Sequence, residues 1–158
     1  MKTLIGYVSQ HGCTESCAVL LKERLNGDID LVNLKKEKTI DLAAYERVLL
    51  GGSIHAGNVQ GAVKKFCQRH EAALLEKELG LFICCMETDD KANEQFNKAF
   101  PASLRTHAKA TAILGGQLNF DRMNVIEKTI MKKIAGTDQN TDQLDKTAME
   151  TFVTQLTQ

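Results

Sequence analysis

The chain has 158 residues, 43% of them hydrophobic and 25% charged, enough for one domain whose core needs no disulfide or metal staple. Twenty basic against twenty acidic residues leave no formal net charge, which excludes the strongly positive field of a general nucleic-acid binder. No apolar stretch reaches membrane-spanning length, and the run at Met1 to Ser9 is too short for a signal-peptide core, so a cytoplasmic protein without an integral membrane segment is expected.

Thr3 to Val8 is apolar and β-branched, which predicts a buried strand ending at Ser9-Gln10-His11-Gly12. From Thr14 to Asn26, Cys17, Leu20, Leu21 and Leu25 recur at helical spacing, with Asn26-Gly27 as the stop. Ile29, Leu31 and Leu34 mark a second strand, and Val48-Leu49-Leu50 leads a third into Gly51-Gly52-Ser53. Val59 to His70 is helical by the spacing of Ala62, Val63, Phe66 and Cys67, and the apolar run Leu79 to Met86 suits a central parallel strand. Asp89 or Asp90 is expected to cap a helix holding Ala92, Phe96 and Phe100, with Pro101 near its end. Ala110 to Leu114 is a fifth strand. Met123, Ile126, Ile130 and Ile134 form one helical stripe; Ala148, Met149, Phe152, Val153 and Leu156 form another, and both are expected in the core.

Five strands alternating with helices predict a doubly wound α/β sandwich in a single domain over residues 1–158. Such a sheet places its ligand crevice beyond the carboxyl ends of the strands. The five cysteines are odd in number and lack paired CxxC spacing, so neither a disulfide framework nor a structural zinc site is expected. Cys17, Cys67 and Cys84 are expected as small buried hydrophobes, and Cys13, at a helix N-terminus, as a spectator.

Three loops follow the first, third and fourth strands. The first, Ser9-Gln10-His11-Gly12-Cys13-Thr14, runs into a helix whose opening N–H groups have no intrahelical acceptor, an arrangement that suits an anion. It lacks the signatures of a P-loop or a dinucleotide site. It resembles the phosphate loop of the flavodoxin family, T/S-x-T/S-G-x-T, with His11 where a hydroxyl residue is usual. The second loop, Ser53-Ile54-His55-Ala56-Gly57-Asn58, closes a stretch from Tyr45 that resembles the Y-D-x-V-x-x-G-x-S-I-x-x-G pattern of the flavodoxin-like, menaquinone-dependent protoporphyrinogen oxidases. Ala112 to Asn119 and Ile130 to Asp138 are similar to the same subgroup. The third loop is Cys85-Met86-Glu87-Thr88.

The resemblance implies a flavodoxin-like three-layer sandwich with a five-stranded parallel sheet in the order 2-1-3-4-5. It implies FMN as cofactor, held by Ser9, Gln10, His11, Gly12, Cys13 and Thr14 at the phosphate, and by Ser53 to Asn58 and Cys85 to Thr88 at the ring. It further implies that the Gly57-Asn58 peptide changes its hydrogen bonding with the flavin redox state. The expected activity moves electrons from a reductase or an organic substrate, a porphyrinogen among them, to a quinone or protein acceptor. A flavodoxin electron carrier and a non-redox binding protein on the same fold are the alternatives. The chain has no Trp, and Tyr7 and Tyr45 lie in or before strands, so the aromatic sandwich of many flavodoxins is missing and His55, Ile54, Asn58 or Met86 is expected beside the ring.

Overall fold

The computed structural model describes residues 1–37 and 39–158, the side chain of Ile134 excepted. The apolar, β-branched runs form β1 (Lys2–Tyr7), β2 (Asp28–Asn33) and β3 (Arg47–His55), with α1 (Cys13–Arg24) crossing between the first two. A two-residue strand, β4 (Asn58–Val59), returns antiparallel along the end of β3 before α2 (Gly61–Leu74) and β5 (Glu78–Cys84). Then come α3 (Asp89–Ala99), α4 (Ala102–His107), β6 (Ala110–Ile113), β7 (Gly115–Leu118), α5 (Val125–Ala135), β8 (Thr141–Leu144) and α6 (Lys146–Thr157).

The main sheet runs β2-β1-β3-β5-β6, every neighbouring pair parallel, which is the order expected for the five sequence-read strands. Alternation along the strands sends side chains to two faces. Leu4, Val48, Leu50, Leu81 and Ile83 pack with α2, α3 and α4, while Ile5, Leu49, Phe82 and Cys84 pack with α1 and α6. The Phe82 ring lies directly over Gly51, in the space any side chain at 51 would need. Gly51 is therefore set by close approach.

At the amino-terminal edge of the sheet, Arg47 is buried and bonds Glu78 through Nε at 2.7 Å, while its Nη2 donates to the Leu156 carbonyl at 3.1 Å. Lys109 donates to that same carbonyl at 3.1 Å and lies 3.5 Å from Glu78. Two cations thus meet the last turn of α6, where the helix presents unpaired carbonyls.

Several elements differ from the sequence reading. β7 and β8 pair into a separate antiparallel ribbon that no periodicity marked, and α4 starts at Pro101, which caps it. Thr88, not Asp89 or Asp90, is the N-cap of α3; both aspartates lie within its first turn. The stripe at Met123, Ile126 and Ile130 is core only at Met123, whereas Ile126 and Ile130 are 73% and 52% exposed. Ile134 lies outside the described side chains. α5 meets a small cluster of Leu118, Phe120 and Met123 through Met131, and among the described residues none of its side chains joins either core of the main sheet. The terminal stripe holds: Met149, Phe152 and Leu156 are fully buried.

Ile130→Ala should therefore change the unfolding free energy by less than about 0.5 kcal/mol. Phe152→Ala should cost about 3–5 kcal/mol as a large cavity opens under the sheet. Denaturant titration of the two variants checks the contrast, and equal losses would place Ile130 in a core.

Candidate functional site

Parallel pairing sets Tyr7 beside Gly51 and Gly51 beside Phe82, so β1, β3 and β5 deliver their following loops to one edge of the sheet. In the first loop Gly12 is the N-cap of α1 with φ +92° and makes no side-chain cap, leaving the helix's opening N–H groups directed at the loop. Ser9 Oγ accepts from the Gly12 N–H at 3.0 Å, and the Gly12 carbonyl accepts from Ser16 N and Ser16 Oγ. The Arg122 guanidinium occupies the space where a side chain at 12 would begin. Positive φ and this close cation both restrict the position to glycine. Beside it, Thr14 is fully buried and its hydroxyl has no partner among the described residues; His11 Nδ1 is likewise buried and unpartnered among them.

The second loop is a two-residue hairpin turn. Ala56 and Gly57 both take positive φ, +50° and +79°, the signs of a turn that matches strand twist. For Ala56 this left-handed conformation costs about 1–2 kcal/mol, a strain held at the tip of the site. The Asn58 amide donates to the Ala56 carbonyl at 3.1 Å. Below the tip, Gln60 accepts from the Ser53 N–H at 3.0 Å and donates to Ser53 Oγ at 2.6 Å, and Ser53 Oγ lies 3.0 Å from His55 Nε2. The His55 ring meets the His11 ring edge-on at 5.8 Å, which joins the first two loops. Burial, and then the neighbouring His11, hold His55 below its ordinary value. Ile54 is half-buried against the core on the α2 side.

The third loop makes its bonds elsewhere. Cys85 N donates to the Gly115 carbonyl at 2.9 Å, the Cys85 thiol to the Glu87 carbonyl at 3.6 Å, and Glu87 pairs with Lys91 at 3.1 Å. Met86 is 45% exposed, with its sulfur over Gly116 of β7. Thr88 is exposed.

Three residues absent from the sequence reading complete the arrangement: Gln60, Arg122 and Glu127. Glu127 closes a capping box with Asn124 at the start of α5, and its other oxygen accepts from Gln10 Nε2 at 3.2 Å and His11 Nε2 at 2.8 Å. α5 is thereby tied to the first loop. A cleft of about 460 Å³ runs along this side of the loop, bounded by His11, Gly12, Gln117, Asn119 and Arg122. It borders the first loop alone and does not extend over the second or third. Tyr7 belongs to the core, and the Tyr45 hydroxyl donates to Asp30 at 2.7 Å.

The profile of the family described as Flavodoxin domain matches residues 4–145. Two-electron reduced Megasphaera elsdenii flavodoxin superposes with a TM-score of 0.51 at 20% identity, covering 70% of this chain and 84% of that one. A flavodoxin from the domain Archaea gives 0.50 at 18% identity, over 77% and 89%. The rubredoxin:oxygen oxidoreductase of Desulfovibrio gigas gives 0.50 at 16% identity, covering 99% of this chain and 37% of that one. These likenesses show a shared fold. No curated protein matches the chain.

Because the neutral imidazole is favoured at His55, its ring should titrate below 6.5 in a nuclear magnetic resonance pH series. Its contribution to stability is present above that value and is lost as the pH falls through the lowered folded-state value. His11→Ala should move the titration back upward. A ring that titrates at or above 6.5 in the parent protein would remove desolvation as the dominant influence.

Proposed function

Because the chain belongs to the flavodoxin domain family, we propose that it is, over its whole length, an FMN-binding electron-transfer protein. The observation that carries the reading is the Thr14 hydroxyl, buried without a partner among the described residues in the first turn of a helix that has no side-chain cap. A buried hydroxyl left unpaired costs about 1–3 kcal/mol, and a phosphate oxygen would satisfy it together with the open N–H groups. The residues present fit a terminal phosphate. Ser9, Gln10, Gly12 and Cys13 shape its loop, Arg122 adds positive charge, and His11 has an unused ring nitrogen. Ser53 to Asn58 and Cys85 to Thr88 are the proposed ring-side residues. FMN, when bound, supplies the one- and two-electron chemistry; the chain binds it, orients it and limits water at its edge.

The narrower proposal is an oxidoreductase that takes electrons from an organic substrate, with a porphyrinogen as the class implied by the resemblance of Tyr45 to Gly57, and passes them to a quinone or protein. Two features support an apolar partner over docking by charge alone: the zero formal net charge, and the exposed Val125, Ile126 and Ile130 on a helix tied to the first loop. Anaerobic reduction with porphyrinogens, quinols and reductase proteins separates the readings. Reduction by a partner reductase alone would leave the carrier.

Thr14→Val tests the site in two directions. It should weaken FMN by about 1.5–3 kcal/mol, roughly 10- to 150-fold in dissociation constant, since one bond to a charged oxygen is lost. The FMN-free protein should be no less stable, because the variant deletes an unsatisfied buried hydroxyl. Unchanged FMN affinity in titration would remove Thr14 from the site.

A further inference from the structure

Under the first loop, Cys13 and Cys17 on α1 face Cys84 at the end of β5. The three sulfurs lie within 4.8 Å of one another, with 3.4 Å between Cys17 and Cys84, and all three residues are buried, Cys17 completely. Helical i,i+4 spacing puts the first two on one face of α1, and strand alternation turns Cys84 to the same side of the sheet as Phe82. All five cysteines are free. Cys67 packs on the opposite face of the sheet and takes no part.

We propose that Cys13, Cys17 and Cys84 form a three-thiolate site for a trivalent thiophilic metalloid, with arsenite as the ion to test. Sulfurs bound at about 2.3 Å stand about 4 Å apart around a trigonal planar ion and closer around a pyramidal one, so this cluster already has the span of such a set. Charge selects among soft ions. Three thiolates give a net charge of −2 with a cuprous ion and −1 with zinc, but zero with a trivalent centre. The three cysteines belong to a buried cluster with Ile5, Tyr7, Leu21, Leu49, Phe82 and Leu114, where a net charge without a counter-ion is costly. Zinc also wants a fourth ligand, and among the described residues no His, Cys, Asp or Glu joins the three.

The step is ligand exchange without redox change. Arsenous acid and three thiols give the tris-thiolate and three waters: three As–S bonds form, three As–O and three S–H bonds break, and each thiol proton leaves on a departing hydroxide. Cys13 is the first ligand. It is the least buried of the three and lies at the start of α1, next to the loop.

The full-length chain, reduced with a phosphine, is incubated with arsenite and desalted. Native mass spectrometry should find one arsenic per chain with three protons lost, and X-ray absorption should count three sulfur neighbours. Cys17→Ser should lose more than the about 10- to 100-fold in affinity that an outer-shell partner costs, while Cys67→Ser keeps parent affinity. No retained arsenic, a neighbour set of two sulfurs and an oxygen, or parent affinity in Cys17→Ser would each overturn the site. The sulfur count and proton loss in the parent protein decide the matter even if a variant fails to fold. Neither readout depends on FMN, so the proposal stands or falls apart from the flavin reading.

Discussion

Everything at the site follows from parallel pairing of β1, β3 and β5 in nearly level register. Parallel strands place all their carboxyl ends on one side, and right-handed crossovers then return each chain segment over a face of the sheet. One edge thereby gathers a helix start after β1, a tight hairpin after β3 and an acidic loop after β5. The buried Leu4, Leu49, Leu50, Leu81 and Phe82 fix that register, since a one-residue slip would turn each of them to the wrong face. The opposite edge is closed by Arg47, Glu78 and Lys109 at the end of α6, which leaves the carboxyl edge free to carry polar, strained and unsatisfied groups.

The groups at that edge constrain one another. Gly12 is fixed by its left-handed backbone and by Arg122; His11 is held between Glu127 and His55; His55 leans on Ser53, which Gln60 holds from two sides. Glu127 caps its own helix with one oxygen and grips the first loop with the other, so the orientation of α5 and the shape of the loop are set by a single carboxylate. A change at the apolar face of α5 can therefore reach the loop without any contact between them. Below, Cys13 opens α1 and Cys17 lies one turn on, both facing Cys84 of β5, which makes Cys13 common to the floor of the loop and to the sulfur cluster.

The sequence made the main sheet legible because its central strands are buried on both faces and so read as unbroken apolar runs, as at Leu79 to Cys84. The loops were legible from their place after those strands. β7 was hidden because Gly115-Gly116-Gln117-Leu118 has no β-branched residue, and its partner, Thr141 to Leu144, lies a helix away. The stripe at Ile126 and Ile130 misled because periodicity reports an apolar face without saying what covers it. Arg122 carried no local signal, and the Asn124–Glu127 spacing announced a helix start without its contact to the first loop, since Glu127 reaches Gln10 across 117 residues of chain. The sulfur cluster was half visible in the Cys13–Cys17 spacing, but Cys84 joins it only through the fold.

The ring of Phe82 lying over Gly51 has a meaning for how this sequence can change over time. The two positions divide one volume, with all of it given to the ring and none to the glycine, in an interior as dense as an organic crystal. A methyl group added at 51 has nowhere to go while the phenyl is present, and a smaller residue at 82 leaves a hole while 51 is bare. Drift at either position is therefore blocked singly and open jointly. In a set of related chains the pair should exchange size as a unit, large at 82 with glycine at 51, or reduced at 82 with a side chain at 51.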